Sequence, residues 1–139
     1  MPFDEGLTRL DRDQCMSLLA STSFARVGIS VQALPAILPV TIALMDDEVV
    51  FRTLQGTKLA YAASRSILAV EADHYDASLG QGWSVLVRGV ATPLSIEGAI
   101  NRARALLAGS WIDGAEEHFV GVSCDLVTGR LLGPRPLPV

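Results

Sequence analysis

Cysteine is scarce in this sequence. Cys15 and Cys124 are the two present, far apart and not part of any C-x-x-C pair. That excludes a disulfide framework and leaves two free buried thiols in a reducing compartment as the expectation. Histidine is as rare. His74 and His118 form no H-x-x-x-H pair and join no Cys/His cluster at ligand spacing, so no metal site is expected. Basic charge is in deficit, with 11 Lys and Arg against 15 Asp and Glu and a net charge of −4. A surface of that sign is not that of a nucleic-acid binder, and any bound anion needs a local cluster of cations. The longest apolar stretch, Leu34 to Met45, is too short to span a bilayer and contains Pro35 and Pro39. Met1 to Glu5 is acidic without an apolar run, so no signal peptide is read and a soluble, cytoplasmic protein is expected.

Apolar residues, by contrast, make up 50% of the 139 positions, with a mean hydropathy of +0.37. That composition suits one packed domain over residues 1–139, which at this size buries about two thirds of its unfolded surface. It also carries more apolar surface than a monomer readily hides.

The hydrophobic period changes along the chain. Asp11 to Ser21 reads as a helix with Leu10, Cys15, Leu18 and Leu19 near one face and Asp11 or Asp13 as its cap. From Phe24 the period drops to two: Phe24, Arg26, Gly28 and Ser30 share one face, while Val27, Ile29 and Val31 share the other. A second strand runs from about Pro35 to Met45. Its Pro39 cannot donate to a ladder, which implies an edge, a bulge or an opening. Asp46-Asp47-Glu48 turns into a third strand, Val49 to Thr53, followed by a short helix from Lys58 to about Ser64. Ile67 to Ala72 is the fourth strand, and a polar loop with Gly80 and Gly82 leads to the fifth, Trp83 to about Leu94. A helix from Ile96 to Ala108 bears a stripe of Ile100, Ala103 and Leu107, and Glu117 to Cys124 is the last strand before a Pro-rich tail, residues 133–139. The short connections favour antiparallel pairing. Six strands with helices over the open ends predict a closed, mainly β barrel.

One segment concentrates chemistry. Phe51-Arg52-Thr53-Leu54-Gln55-Gly56-Thr57-Lys58 joins a strand end to a helix start, with two cations and two hydroxyls around a turn glycine. Exposed N–H groups at a helix start, with Arg and Lys beside them, suit a phosphate. Gly56 stands alone, so neither a P-loop nor a dinucleotide fingerprint is present. The same residues also fit a solvated arginine, a solvated lysine and Thr57 as a simple helix cap. Glu71, Asp73 and Asp76 gather near a strand end, with a spacing that suits a solvated loop. No Ser-His-Asp or Cys-His arrangement can be assembled.

Taken in order, Leu18-Leu19-Ala20-Ser21 before Phe24-Ala25-Arg26-Val27, Leu38-Pro39-Val40, Phe51-Arg52-Thr53 with Gly56-Thr57-Lys58-Leu59-Ala60, and Gly82-Trp83-Ser84-Val85-Leu86-Val87-Arg88-Gly89 make a recognisable set. His118-Phe119-Val120 and Val127-Thr128-Gly129-Arg130 complete it. The chain resembles the small actinobacterial-type members of the pyridoxamine 5′-phosphate oxidase-like flavoprotein superfamily.

That resemblance implies a six-stranded antiparallel split β-barrel that pairs with a second copy of itself and binds flavin mononucleotide (FMN) at the interface. By analogy Arg52, Thr53, Thr57 and Lys58, led into by Phe51, hold the phosphate. Pro39, Val40 and Thr41 lie along the isoalloxazine ring, and Trp83, Ser84 and Trp111 complete the pocket from this chain or its partner. The implied activity is a flavin-dependent oxidoreduction of a small organic substrate. A deazaflavin is the alternative cofactor, for whose acidic tail Arg26, Arg65 and Arg88 are available. Haem is a third candidate, with His74 or His118 as an axial ligand, and a dimer that only binds flavin or haem is the alternative to an enzyme. Thr41-Ile42 replaces the Asn-Tyr common in small relatives, and Arg130-Leu131-Leu132-Gly133 stands where the vitamin-binding arginine motif is expected. Pyridoxamine phosphate is therefore not the expected substrate.

Overall fold

A computed structural model describes residues 8–54, 66–108 and 117–133. In chain order these form β1 (Thr8–Leu10), α1 (Arg12–Ser21), β2 (Phe24–Val31), β3 (Leu34–Met45), β4 (Glu48–Leu54), β5 (Ile67–Asp76), β6 (Gln81–Pro93), α2 (Glu97–Leu106), β7 (Glu117–Ser123) and β8 (Leu126–Leu132). The expected helix from Lys58 to Ser64 and the tail after Gly133 lie outside the described residues.

All pairings are antiparallel, and the strands run β1-β8-β6-β5-β2-β3-β4-β7. A further pairing of β6 with β7 closes β6-β5-β2-β3-β4-β7 into a barrel of six strands, as the sequence predicts. The closure depends on the length of β6. Its first part, Gly82 to Arg88, pairs with β8, and its last part, Ala91 to Pro93, pairs with β7. The barrel is split at the point of exchange, Gly89. A methyl group there would run into the carbonyl oxygen of Ser123, so only glycine lets β7 come this close.

Two strands were not expected. β8 and β1 extend the sheet beyond the ring, and β8 is centred on Gly129. The glycine is needed because α1 rests on it: a Cβ would lie 2.5 Å from the Cys15 Sγ. The other difference is in β5, which continues past Ala72 through Asp73, His74 and Tyr75 to Asp76. Those polar residues stay extended because β6 pairs with them up to Asp76↔Gln81.

Alternation decides what fills the barrel. Val27, Val49, Phe51, Val70, Val85, Val87 and Val122 are each no more than 1% exposed and share one core. β-branched side chains suit such a pleated interior. Helix α1 plugs one end with Cys15 and Leu19. Its N-terminus is a capping box: the Gln14 N–H donates to Asp11 Oδ1 (2.8 Å), and the Asp11 N–H donates to Gln14 Oε1 (2.9 Å). Helix α2 instead packs outside the ring, its Ala103 and the following Leu107 against Met45, Val50 and Phe119.

Both tight hairpins use two-residue turns with positive φ, Gln32 and Ala33 between β2 and β3 and Asp46 and Asp47 between β3 and β4. This backbone twist matches that of paired strands. Among the described residues no helix is long and apolar enough to cross a membrane.

The exchange point gives a direct test. Gly89→Ala is expected to lower unfolding free energy by about 1–3 kcal/mol in urea titrations, because strand backbone must shift. Gly98→Ala, in open space on α2, should instead raise it by about 0.5 kcal/mol. A harmless Gly89→Ala would show that the exchange tolerates a side chain.

Candidate functional site

The outward face of the sheet carries a polar assembly drawn from several strands. In β3, β2, β5, β6 and β8 the residues that do not fill the barrel align in rows across the strands. Pro39 pairs with Arg26, Arg26 with Glu71, Glu71 with Leu86 and Leu86 with Thr128. In the next row Asp73 pairs with Ser84 and Ser84 with Arg130. Arg26 Nη1 lies 3.3 Å from Asp73 Oδ2 and 3.6 Å from Glu71 Oε1. The Ser84 hydroxyl donates to Glu71 Oε2 at 3.3 Å. A groove of about 490 Å3 opens over this group, lined by Glu71, Asp73, Tyr75, Ser84, Thr128 and Arg130 among others.

One guanidinium thus serves two carboxyls on the same strand face. Burial raises the Glu71 pKa to about 7, helped by a hydrogen bond and repulsion from Asp73, while Ser84 and Arg26 act the other way. Glu71 Oε1 is buried without a hydrogen-bond partner among the described residues. The site can therefore hold a proton near neutral pH. Sequence reasoning put Glu71 near the end of the fourth strand and read the group's spacing as that of a solvated loop, whereas β5 carries Glu71 and Asp73 on one strand face. The signal that could have found them is the continued alternation of Val70, Ala72 and His74 against Glu71, Asp73 and Tyr75.

The residues expected to bind cofactor fall into separate places. Pro39 and Thr41 are on this outward face, while Val40 is 7% exposed and points into the barrel. Between Leu34 and Thr41, β3 has β2 on one side, and β4 joins only from Ile42. Pro39, which has no N–H, therefore sits on a local open edge among the described residues. Ser84 is on the same face, about three strand spacings (~14 Å) from Thr41. Its neighbour Trp83 points the other way, into a second cavity of about 380 Å3 with His74, Thr8 and Leu131.

Arg52 is 8% exposed and lies beneath α2. Its Nε is 3.0 Å from Glu117 Oε2, an Nη2 hydrogen bond reaches the Leu107 carbonyl at 3.3 Å, and its guanidinium carbon is 5.6 Å from the Phe119 ring centre. Arg104 reaches the other oxygen of Glu117 at 2.8 Å and also lies over Phe119. Arg52 thus ties β4 and β7 to α2. Phe51 is fully buried in the barrel, and the buried Thr53 hydroxyl donates to the His118 carbonyl at 3.4 Å. Thr57, Lys58, Arg65 and Trp111 lie outside the described residues. Cys15 and Cys124 are free and buried, and burial raises both thiol pKa values.

Comparison with known proteins settles the family. The family described as pyridoxamine 5′-phosphate oxidase matches residues 11–131. The chain belongs to this family. An uncharacterised protein of Mycobacterium tuberculosis is 38% identical over 128 residues, covering 88% of this chain and 84% of that one. Among solved structures, a FAD-binding protein from Mycobacterium smegmatis is 33% identical with a TM-score of 0.76, over 91% of this chain and 98% of that chain. A FAD-binding protein from Mesorhizobium loti shares the fold, with a TM-score of 0.80 at 20% identity over 91% and 99% of the two chains. The split barrel of this pyridoxamine 5′-phosphate oxidase family member thus has flavin-binding structural neighbours.

The raised Glu71 pKa makes stability depend on pH. In a single copy of the chain, with no partner cation at Glu71, the folded protein keeps between about pH 4.5 and 7 a proton that the unfolded chain has released, so stability should fall as pH rises through that window. Glu71→Gln should flatten this fall, measured as urea midpoints at pH 4.5 and pH 7.5. An unchanged slope would show that Glu71 titrates normally.

Proposed function

We propose that the chain is a homodimeric flavin-dependent oxidoreductase acting on a small organic substrate, with FMN, or the FMN part of FAD, held where two copies meet. What supports the reading is the open edge of β3. There Pro39 and Thr41 face outward beside exposed Phe24 and Ile37, and the backbone lacks a second strand among the described residues. A flavin ring needs such an apolar ledge with nearby backbone donors and acceptors. The mycobacterial FAD-binding neighbour, similar over nearly its whole length, supports a ligand with that ring.

In this reading Pro39 and Thr41 line the ring with the backbone at Val40, and Ser84 and Trp111 contribute from the partner or from the same chain, while Trp83 faces the second cavity on the other side of the sheet. Thr57 and Lys58 hold the phosphate. Arg52 is buried with its charge shared by Glu117, so its part is to fix the end of β4 and add long-range positive potential. Phe51 and Thr53 anchor the same strand end from inside the barrel. When bound, the flavin supplies the redox chemistry. The protein supplies orientation, exclusion of water and, at Glu71, a place to hold a proton.

Titration of the purified protein with FMN, FAD, riboflavin, a deazaflavin and haem, followed by fluorescence and absorbance, tests the reading. FMN or FAD should bind at least tenfold more tightly than riboflavin. Thr57→Ala with Lys58→Ala should remove about 3 kcal/mol of FMN affinity, roughly a hundredfold. Equal affinity for riboflavin would overturn the phosphate anchor, and no flavin binding would overturn the function. Anaerobic bleaching by added nicotinamide cofactor is the outcome expected of an oxidoreductase. A flavin that is bound and never reduced would mark a store instead.

A further inference from the structure

The outward face that bears the Glu71–Asp73 pair has a second half of opposite character. The row Ile37, Gly28, Ala69, Arg88 and Leu126 crosses the same five strands, and Ile67 pairs with Val90 beside it. Ile37, Ile67, Val90 and Leu126 are 72%, 75%, 49% and 60% exposed. Large apolar side chains so exposed and so close together mark a contact surface. Gly28 and Ala69 keep the middle of the row low enough for another backbone to approach.

Arg88 stands in this apolar row, exposed, and makes no hydrogen bond or ion pair among the described residues. One row away, Glu71 and Asp73 share Arg26, and Glu71 Oε1 is buried without a hydrogen-bond partner. The same face therefore offers an unused cation and an under-served carboxyl.

We propose that this face is where a second copy of the chain docks, with Arg88 of each copy completing the Glu71–Asp73 site of the other. The inference rests on the proposed homodimer and names its contact. Ala69, Glu71, Leu86 and Arg88 form a four-residue patch, with Ala69 opposite Arg88 and Glu71 opposite Leu86. A two-fold axis lying in the face along the Ala69–Leu86 diagonal carries each Arg88 onto the other copy's Glu71. It also brings Leu86 and Ala69 against their own counterparts. An isologous contact of this kind uses each complementary pair twice.

The size is adequate. Five strands about 4.8 Å apart and eight residues of about 3.3 Å give roughly 600 Å2 in projection. Side-chain relief brings that near the roughly 800 Å2 of accessible surface per partner in a stable interface. Phe24, Pro39 and Thr41 lie at the margin of this face, so docking here places the proposed ring-binding strip beside the partner.

Sedimentation velocity without flavin reads the contact directly. Wild type should be a dimer. Arg88→Glu alone and Glu71→Lys alone each create two like-charge contacts and should be monomeric. An equimolar mixture of the two variants should return to dimers, because the introduced glutamate then meets the introduced lysine and the second contact is the native one. Arg88→Gln, which adds no repulsion, should raise the dimer dissociation constant about tenfold. Circular dichroism of each variant reports folding. A monomeric wild type would overturn the homodimer as well as this contact. A dimeric wild type with dimeric single variants and an unchanged Arg88→Gln constant would overturn only the face. Folded monomeric variants that fail to pair on mixing would overturn the Arg88–Glu71 exchange. Flavin titration of the same proteins separates these results from failure of the cofactor reading.

Discussion

Closure of the barrel depends on one strand holding different partners along its length. β6 gives its first part to β8 and its last three paired residues to β7, and the change occurs at Gly89 against the carbonyl of Ser123. Without that exchange β7 would have β4 alone, and the sheet would present two free edges. With it, the six inner strands bury their valines, and β8 and β1 are left to extend the outer face. The extension brings Thr128 and Arg130 alongside Leu86 and Ser84, and so gives the polar groove its far wall.

The same alternation that fills the barrel decides which polar residues meet. Val27, Val70 and Val85 point inward, so Arg26, Glu71 and Ser84 must point outward, and antiparallel register makes them neighbours although far apart in sequence. Arg26 cannot fully neutralise two carboxyls, and burial then favours the protonated form of Glu71. A strained electrostatic balance and an exposed apolar row on one flat face are together what a self-complementary partner can relieve.

The cation at the end of β4 is used differently from the way its segment reads. Arg52 alternates outward, where α2 crosses, and Glu117, Phe119 and the Leu107 carbonyl receive it. The ion pair with Glu117 joins β4, β7 and the end of α2 across the outside of the barrel. A buried guanidinium of this kind costs stability unless its acceptors are present. Its sequence neighbours cannot reveal that, since Glu117 is contributed by a different strand.

Local pattern alone determined the strands of the barrel, both described helices and the turn at Asp46 and Asp47. Valine alternation, Asp11 before an amphipathic run and paired aspartates between strands act within a few residues of one another. The ordered motifs from Leu18 to Arg130 likewise carried the family, and Pro39 already signalled an opening in β3. Tertiary structure decided what depends on distant partners: β8, whose central glycine exists for Cys15; the polar end of β5, held extended by β6; and the burial of Arg52 under α2. It also decided the meeting of Arg26, Glu71, Asp73 and Ser84, because strand register is set by the closure of the whole sheet, and no single strand's sequence contains it.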